Sequence, residues 1–175
     1  MHGNSAVAIV DRLVYLGLPL SLVADHTVIT GLISQRLVKV LCTHCSKSLV
    51  DHPHELPLAA YARVQRAVGD DMHKVRIAGP GCEHCKQQGT VGRSVIAEVI
   101  VPDDQFFKHI RAGEKTEAVA YWLHEMGGKT IREHAIEKIA AGLVDPRMAE
   151  KVVGHLATMT PHGAPRYPQE ATRAG

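Results

Sequence analysis

Aromatic side chains are scarce in this chain, with two Phe, one Trp and four Tyr among 175 residues. A core built mainly from stacked rings is therefore excluded. Burial must come from Leu, Val, Ile and Ala, and the 45% hydrophobic content is that of an ordinary globular protein. Neither sign of charge dominates. Twenty basic and eighteen acidic residues leave a formal net charge of +2, without the basic excess of a nucleic-acid surface. The twelve His are scattered and read as surface groups that titrate near neutral pH. No apolar run reaches the roughly 20 residues of a membrane span. The apolar start lacks the basic head of a signal peptide, and Asp11 and Arg12 interrupt it.

Several chemical signatures are also missing. The chain has no G-x-x-x-x-G-K-S/T phosphate loop, no G-x-S-x-G elbow and no H-E-x-x-H helix. No acidic residue follows a hydrophobic strand in a way that would hold magnesium. The expectation is a chain that does not bind and split a nucleotide by itself.

Four Cys are present, and their spacing is the strongest signal. Cys42-Thr43-His44-Cys45 and Cys82-Glu83-His84-Cys85 form two C-x-x-C knuckles separated by thirty-six residues. Each such turn places two thiolates on one side of a metal, so two turns complete a tetrahedral zinc shell. Without an export signal the expected compartment is reducing, where Cys serves as metal ligand or redox group. Redox or disulfide use of the pairs is the competing reading. His44 and His84 sit inside the knuckles as exposed turn residues or, in the alternative, as rival ligands.

The length suits one ordinary domain or two small ones. Residues 5–17 read as an amphipathic helix capped by Ser5, with Gly17 and Pro19 ending it. A second helix is expected from Ser21 to about Ser34, then a strand from Gln35 to Leu41. Between the knuckles, residues 58–68 read as a helix and residues 73–77 as a strand, followed by the turn at Gly79-Pro80-Gly81. Ser94 to Val101 is rich in β-branched residues and reads as a strand. Helices follow: one capped by Asp103 or Asp104 and running to Ile110, then Lys115–Met126 and Thr130–Ala141. A last helix is opened by Asp145 as N-cap with Pro146 at its first position. From Pro161 the Pro and Gly content predicts a disordered tail.

Beside these motifs stand others that resemble a known family. They are Arg12 to Gly17, Gln35-Arg36-Leu37-Val38, Leu41-Cys42, Gly89-x-x-Gly92-Arg93 with Glu98, and Met126 with Thr130-Ile131-Arg132-Glu133, Lys138 and Ala141-Gly142. In this order they are similar to the secretion ATPases of type II secretion and type IV pilus assembly. The resemblance covers about residues 1–155 and implies the C-terminal part of such a motor. It implies an α+β, mostly helical fold in four stretches. Residues 1–41 would end a RecA-like ATPase core, and 42–101 would form a small zinc-binding α/β insert. Residues 102–158 would form a C-terminal helical bundle, and 159–175 the tail.

The family resemblance also implies cofactors and partners. Zinc would be structural, held by Cys42, Cys45, Cys82 and Cys85. ATP and magnesium would belong to the parent family only, because the phosphate loop and acidic box are absent here. Met1 to Ala6 looks like the tail of a histidine box, in which His2 matches the histidine near the nucleotide phosphates; the alternative is a frayed terminus. Arg36 and Arg93 would face a nucleotide or a neighbouring subunit, or else form ordinary surface ion pairs. The segment Glu133-His134-Ala135 departs from the family's usual acidic residue and Gly. Expected partners are other ATPase subunits in a homo-hexamer and inner-membrane platform proteins, on the cytoplasmic side. Nucleic acid is not expected as a partner. The competing reading is a stand-alone zinc-ribbon module for interaction or nucleic-acid binding.

Overall fold

The structure is a computed structural model that describes residues 5–157. The expected tail and His2 lie outside the described residues. In chain order the elements are α1 (Ala8–Tyr15), α2 (Leu20–Val23), β1 (Leu32–Leu41), β2 (Lys47–Ser48), α3 (Leu58–Val68), β3 (Arg76–Ile77) and β4 (Thr90–Ile100). They continue with α4 (Asp104–Arg111), α5 (Lys115–His124), α6 (Ile131–Ala140) and α7 (Pro146–Val153). The fold is α+β with more helix than strand. β1 pairs with β4, and the short β2 pairs antiparallel with β3, Lys47 opposite Ile77 and Ser48 opposite Arg76.

Two compact units share these elements. The first combines residues 5–36 with 95–134, and the second combines 37–94 with 135–157. Each unit is discontinuous in sequence, and β1, β4 and α6 each contribute residues to both.

The core of the first unit gathers Val10, Val23, Leu32, Ile100, Phe107 and Trp122. Both Phe and the single Trp are spent here, with Phe106 edge-on to Phe107. Burying rings of that size at one place offsets the general scarcity of aromatics. α4 starts as the sequence suggests, because Asp103 accepts the Phe106 N–H at 2.8 Å. The Asp103 carboxylate also accepts the Tyr121 hydroxyl from α5. Glu98 is buried and spans two chain segments. Its carboxylate accepts the N–H of Ala6 at 2.7 Å and of Ile131 at 3.1 Å, the latter at the start of α6. Along β4, Trp122 Nε1 donates to the Val99 carbonyl, and His134 Nδ1 accepts the Ala97 N–H. Side chains thus occupy backbone groups that would otherwise be open for strand pairing.

One helix is much shorter than the sequence suggests. The apolar run from Ser21 to Ser34 forms only the four-residue α2, and β1 begins at Leu32. The cause is local. Asp25 accepts both the N–H and the hydroxyl of Thr27, a turn that competes with helical bonding. The β-branched Val28, Ile29 and Thr30 and then Gly31 follow, all poor helix formers. Residues 69–74 likewise form a 3-10 turn where a strand from His73 was expected, and only Arg76–Ile77 pair.

In the second unit, α3 and α7 each turn an apolar side inward. Tyr61 and Val64 of α3 and Ala149 of α7 are buried, together with Leu49, Leu56 and Ile77. Arg63 and Glu150 are joined by two hydrogen bonds of 2.7 Å, with both side chains largely shielded from water. Bidentate pairing satisfies both charges in that setting.

Candidate metal centre

β1 leads straight into the first knuckle, and its end is fixed by backbone bonds. Leu41 N–H donates to the Leu143 carbonyl at 2.8 Å, and Cys42 N–H donates to Gly89 at 3.0 Å. Ser46 N–H closes the turn on the Cys42 carbonyl at 3.0 Å. The second knuckle is a 3-10 turn over Glu83–Cys85, entered from extended backbone at Cys82. Lys86 and Gln87 then take left-handed conformations, which brings the chain back toward Gly89. Gly79 is required by space. A Cβ there would stand 1.7 Å from the Cys45 carbonyl oxygen, so only a residue without one lets the knuckles approach.

This framework brings together all four Cys sulfurs, which lie within 4.8 Å of one another. Cys42 and Cys82 are 3.7 Å apart, Cys45 and Cys85 3.8 Å, and Cys82 and Cys85 3.7 Å. A zinc–thiolate bond of about 2.3 Å implies sulfur–sulfur edges of about 3.8 Å in a tetrahedral shell. The site therefore fits zinc in both donor type and spacing. A disulfide requires sulfurs about 2 Å apart, and all four thiols are free.

The polar surroundings favour a thiolate at one corner. Burial works to raise the Cys85 pKa, but the N–H groups of Cys82 and Gly89 donate to its sulfur at 3.2 and 3.1 Å. Together with the neighbouring sulfurs they lower it to about 6. Cys45 is pushed up to about 12, by burial first and then by the sulfurs of Cys85, Cys42 and Cys82. Thiolates so close together repel, and a central cation removes that conflict. His44 and His84 are exposed and stack on each other, with ring centroids 4.1 Å apart and planes 16° from parallel. The cluster thus needs neither imidazole to complete four ligands.

Residues 1–156 match the family model described as "Type II/IV secretion system protein". The chain belongs to this family. Among its relatives, the type IV pilus assembly ATPase PilB of Thermus thermophilus is 31% identical over 144 residues, 82% of this chain but 15% of that protein. The type II secretion system protein E of Pseudomonas aeruginosa is 31% identical over 143 residues, again 82% of this chain and 26% of the relative. The type II secretion system ATPase E of Vibrio cholerae is 29% identical over 148 residues, with the same shares. The chain therefore spans only about a quarter or less of the length of these secretion and pilus relatives.

Among the described residues, Arg36 and Arg93 do not join the sulfur cluster. Arg36 is half-buried on β1 in the first unit, and Arg93 is exposed on β4 in the second. Two carboxylates carry more structure than their sequence context announces. Asp145 is read from sequence only as the cap of α7. It is fully buried and also accepts the Ala78 N–H at 2.8 Å while pairing with Arg147. The Asp-Pro dipeptide signals the cap but holds no hint of the distant partner. Glu98 was visible only as part of a motif, with no sign that it would bind two backbone amides.

Proposed function

We propose that this chain supplies the zinc-braced and helical part of a secretion or pilus-assembly motor ATPase. The observation that carries the reading is the four-sulfur cluster, set inside a chain whose family match runs from residue 1 to 156. Bound zinc would supply a redox-inert cross-link between the segment ending β1 and the segment entering β4. The protein's own part is to hold the four sulfurs at tetrahedral spacing. It also directs two N–H donors at Cys85 and keeps Gly79 clear of the Cys45 carbonyl.

On this reading residues 1–41 complete a RecA-like core, residues 42–101 form the zinc-binding insert, and residues 102–158 form a helical bundle. His2 would match the histidine near the nucleotide phosphates, and Arg36 and Arg93 would face nucleotide or a neighbouring subunit of a hexamer. ATP and magnesium are handled by parts that the relatives carry beyond this chain. Partners are other ATPase subunits and membrane platform proteins, met on the cytoplasmic side. No helix among the described residues is long and apolar enough to cross a membrane.

Purified chain should carry one zinc per molecule by elemental analysis. It should show no ATP turnover by itself, because phosphoryl transfer needs positioned phosphates, magnesium and charge stabilisers together. Metal-free purified chain would remove the brace, and robust turnover would sink the assignment of catalysis to other parts.

A further inference from the structure

The second unit carries a groove unrelated to the sulfur cluster. It is a cavity of about 510 Å³ between one side of α3 and one side of α7. Pro57 and Ala60 contribute apolar lining, and Arg63, Arg147, Lys151 and His155 line the same cavity. Arg147, Lys151 and His155 recur at four-residue spacing, the first two on α7 and the third just past its end. Side chains four apart on a helix share one face, about 6 Å apart along the axis. Arg147 and Lys151 therefore share one face of α7, and His155 follows beyond the helix end at Gly154.

Among the described residues the groove's charge balance is positive through Lys151, because Arg63 is paired with Glu150 and Arg147 with Asp145. The groove's acid, Glu150, has both carboxylate oxygens committed to Arg63 at the floor. Arg147 is tied to the fully buried Asp145, yet its side chain remains 37% exposed. Lys151 is exposed with no partner among the described residues. His155 is 73% exposed and approaches Glu150 only at 3.6 Å.

We propose that this groove docks an acidic, amphipathic protein segment. Its carboxylates would lie along Arg147, Lys151 and His155, and an apolar side chain would sit against Pro57 and Ala60. Charge complementarity selects the occupant. The apolar lining and the lack of aromatic rings for base stacking favour a peptide over nucleic acid. The inference holds whether or not the chain serves in a motor.

The test uses the full zinc-loaded chain and a fluorescein-labelled amphipathic peptide with Glu at every fourth position and Leu between. Fluorescence anisotropy should show binding that weakens as salt rises. The Gln version of the peptide should bind about tenfold more weakly or worse. The double variant Lys151→Glu, His155→Glu should lose a similar factor while keeping the same thermal midpoint. Amide shifts on titration should cluster at residues 57–63 and 147–155. Absent binding, equal binding of the Glu and Gln peptides, or shifts elsewhere would overturn the proposal. So would duplex DNA that binds as tightly as the peptide and displaces it.

Discussion

The Asp145 carboxylate accepts the Ala78 backbone N–H at 2.8 Å, joining positions 67 residues apart. Ala78 immediately precedes the glycine turn into the second knuckle, and Asp145 caps α7. The second knuckle and the last helix therefore share one buried carboxylate. Replacing Asp145 with Ala removes a helix cap and a charged hydrogen bond, and leaves Arg147 without its partner. Urea denaturation should register a loss of about 3 kcal/mol. Asp145→Asn retains an oxygen acceptor and should recover part of that loss.

The Arg63–Glu150 pair sets an acid limit on the second unit. Burial tends to raise the Glu150 pKa, but its bonds to Arg63 and the Leu156 N–H outweigh this and lower it. A carboxyl whose folded pKa is depressed contributes stability that is present above its unfolded value. That contribution is lost as pH falls through the folded value, here below the ordinary Glu value. Glu150→Gln should flatten this part of the stability–pH curve. At neutral pH it should cost roughly 2 kcal/mol by weakening the charged hydrogen bonds that hold Arg63.

Gly79→Ala should be among the most damaging single-methyl changes in the chain. The added carbon meets backbone at the Cys45 carbonyl, so no side-chain rotation relieves it. The knuckles must separate, and zinc content by elemental analysis should fall along with the thermal midpoint. Full metal occupancy in this variant would show that the turn has more slack than the 1.7 Å approach implies.

Glu98→Ala should act in the first unit. It orphans the amides of Ala6 and Ile131, so hydrogen exchange at the start of α6 should accelerate. Two lost charged hydrogen bonds correspond to about 3 kcal/mol. Glu98→Gln keeps acceptor oxygen for one amide and should give an intermediate effect.

The features visible in the sequence were the local ones. The knuckles, the Asp103 and Asp145 caps and the helix over residues 58–68 each rest on contacts within a few residues. The overextended helix from Ser21 shows the limit, since an apolar run fits helix and strand alike until the Asp25 turn decides. Long-range pairings left no local trace. Nothing near Ala78 names Asp145, and nothing near Glu98 names Ala6. The sulfur cluster was an exception because metal chemistry dictates both residue type and spacing.

The interleaving of the two units has a consequence for synthesis. As the chain leaves the ribosome, both knuckles emerge well before Leu143, Asp145 and Glu150, which hold Leu41, Ala78 and Arg63. The four thiols are thus exposed together while the elements that secure them are still being made. Metal captured at that stage would close a long loop early and reduce the entropy left for the late helices to overcome.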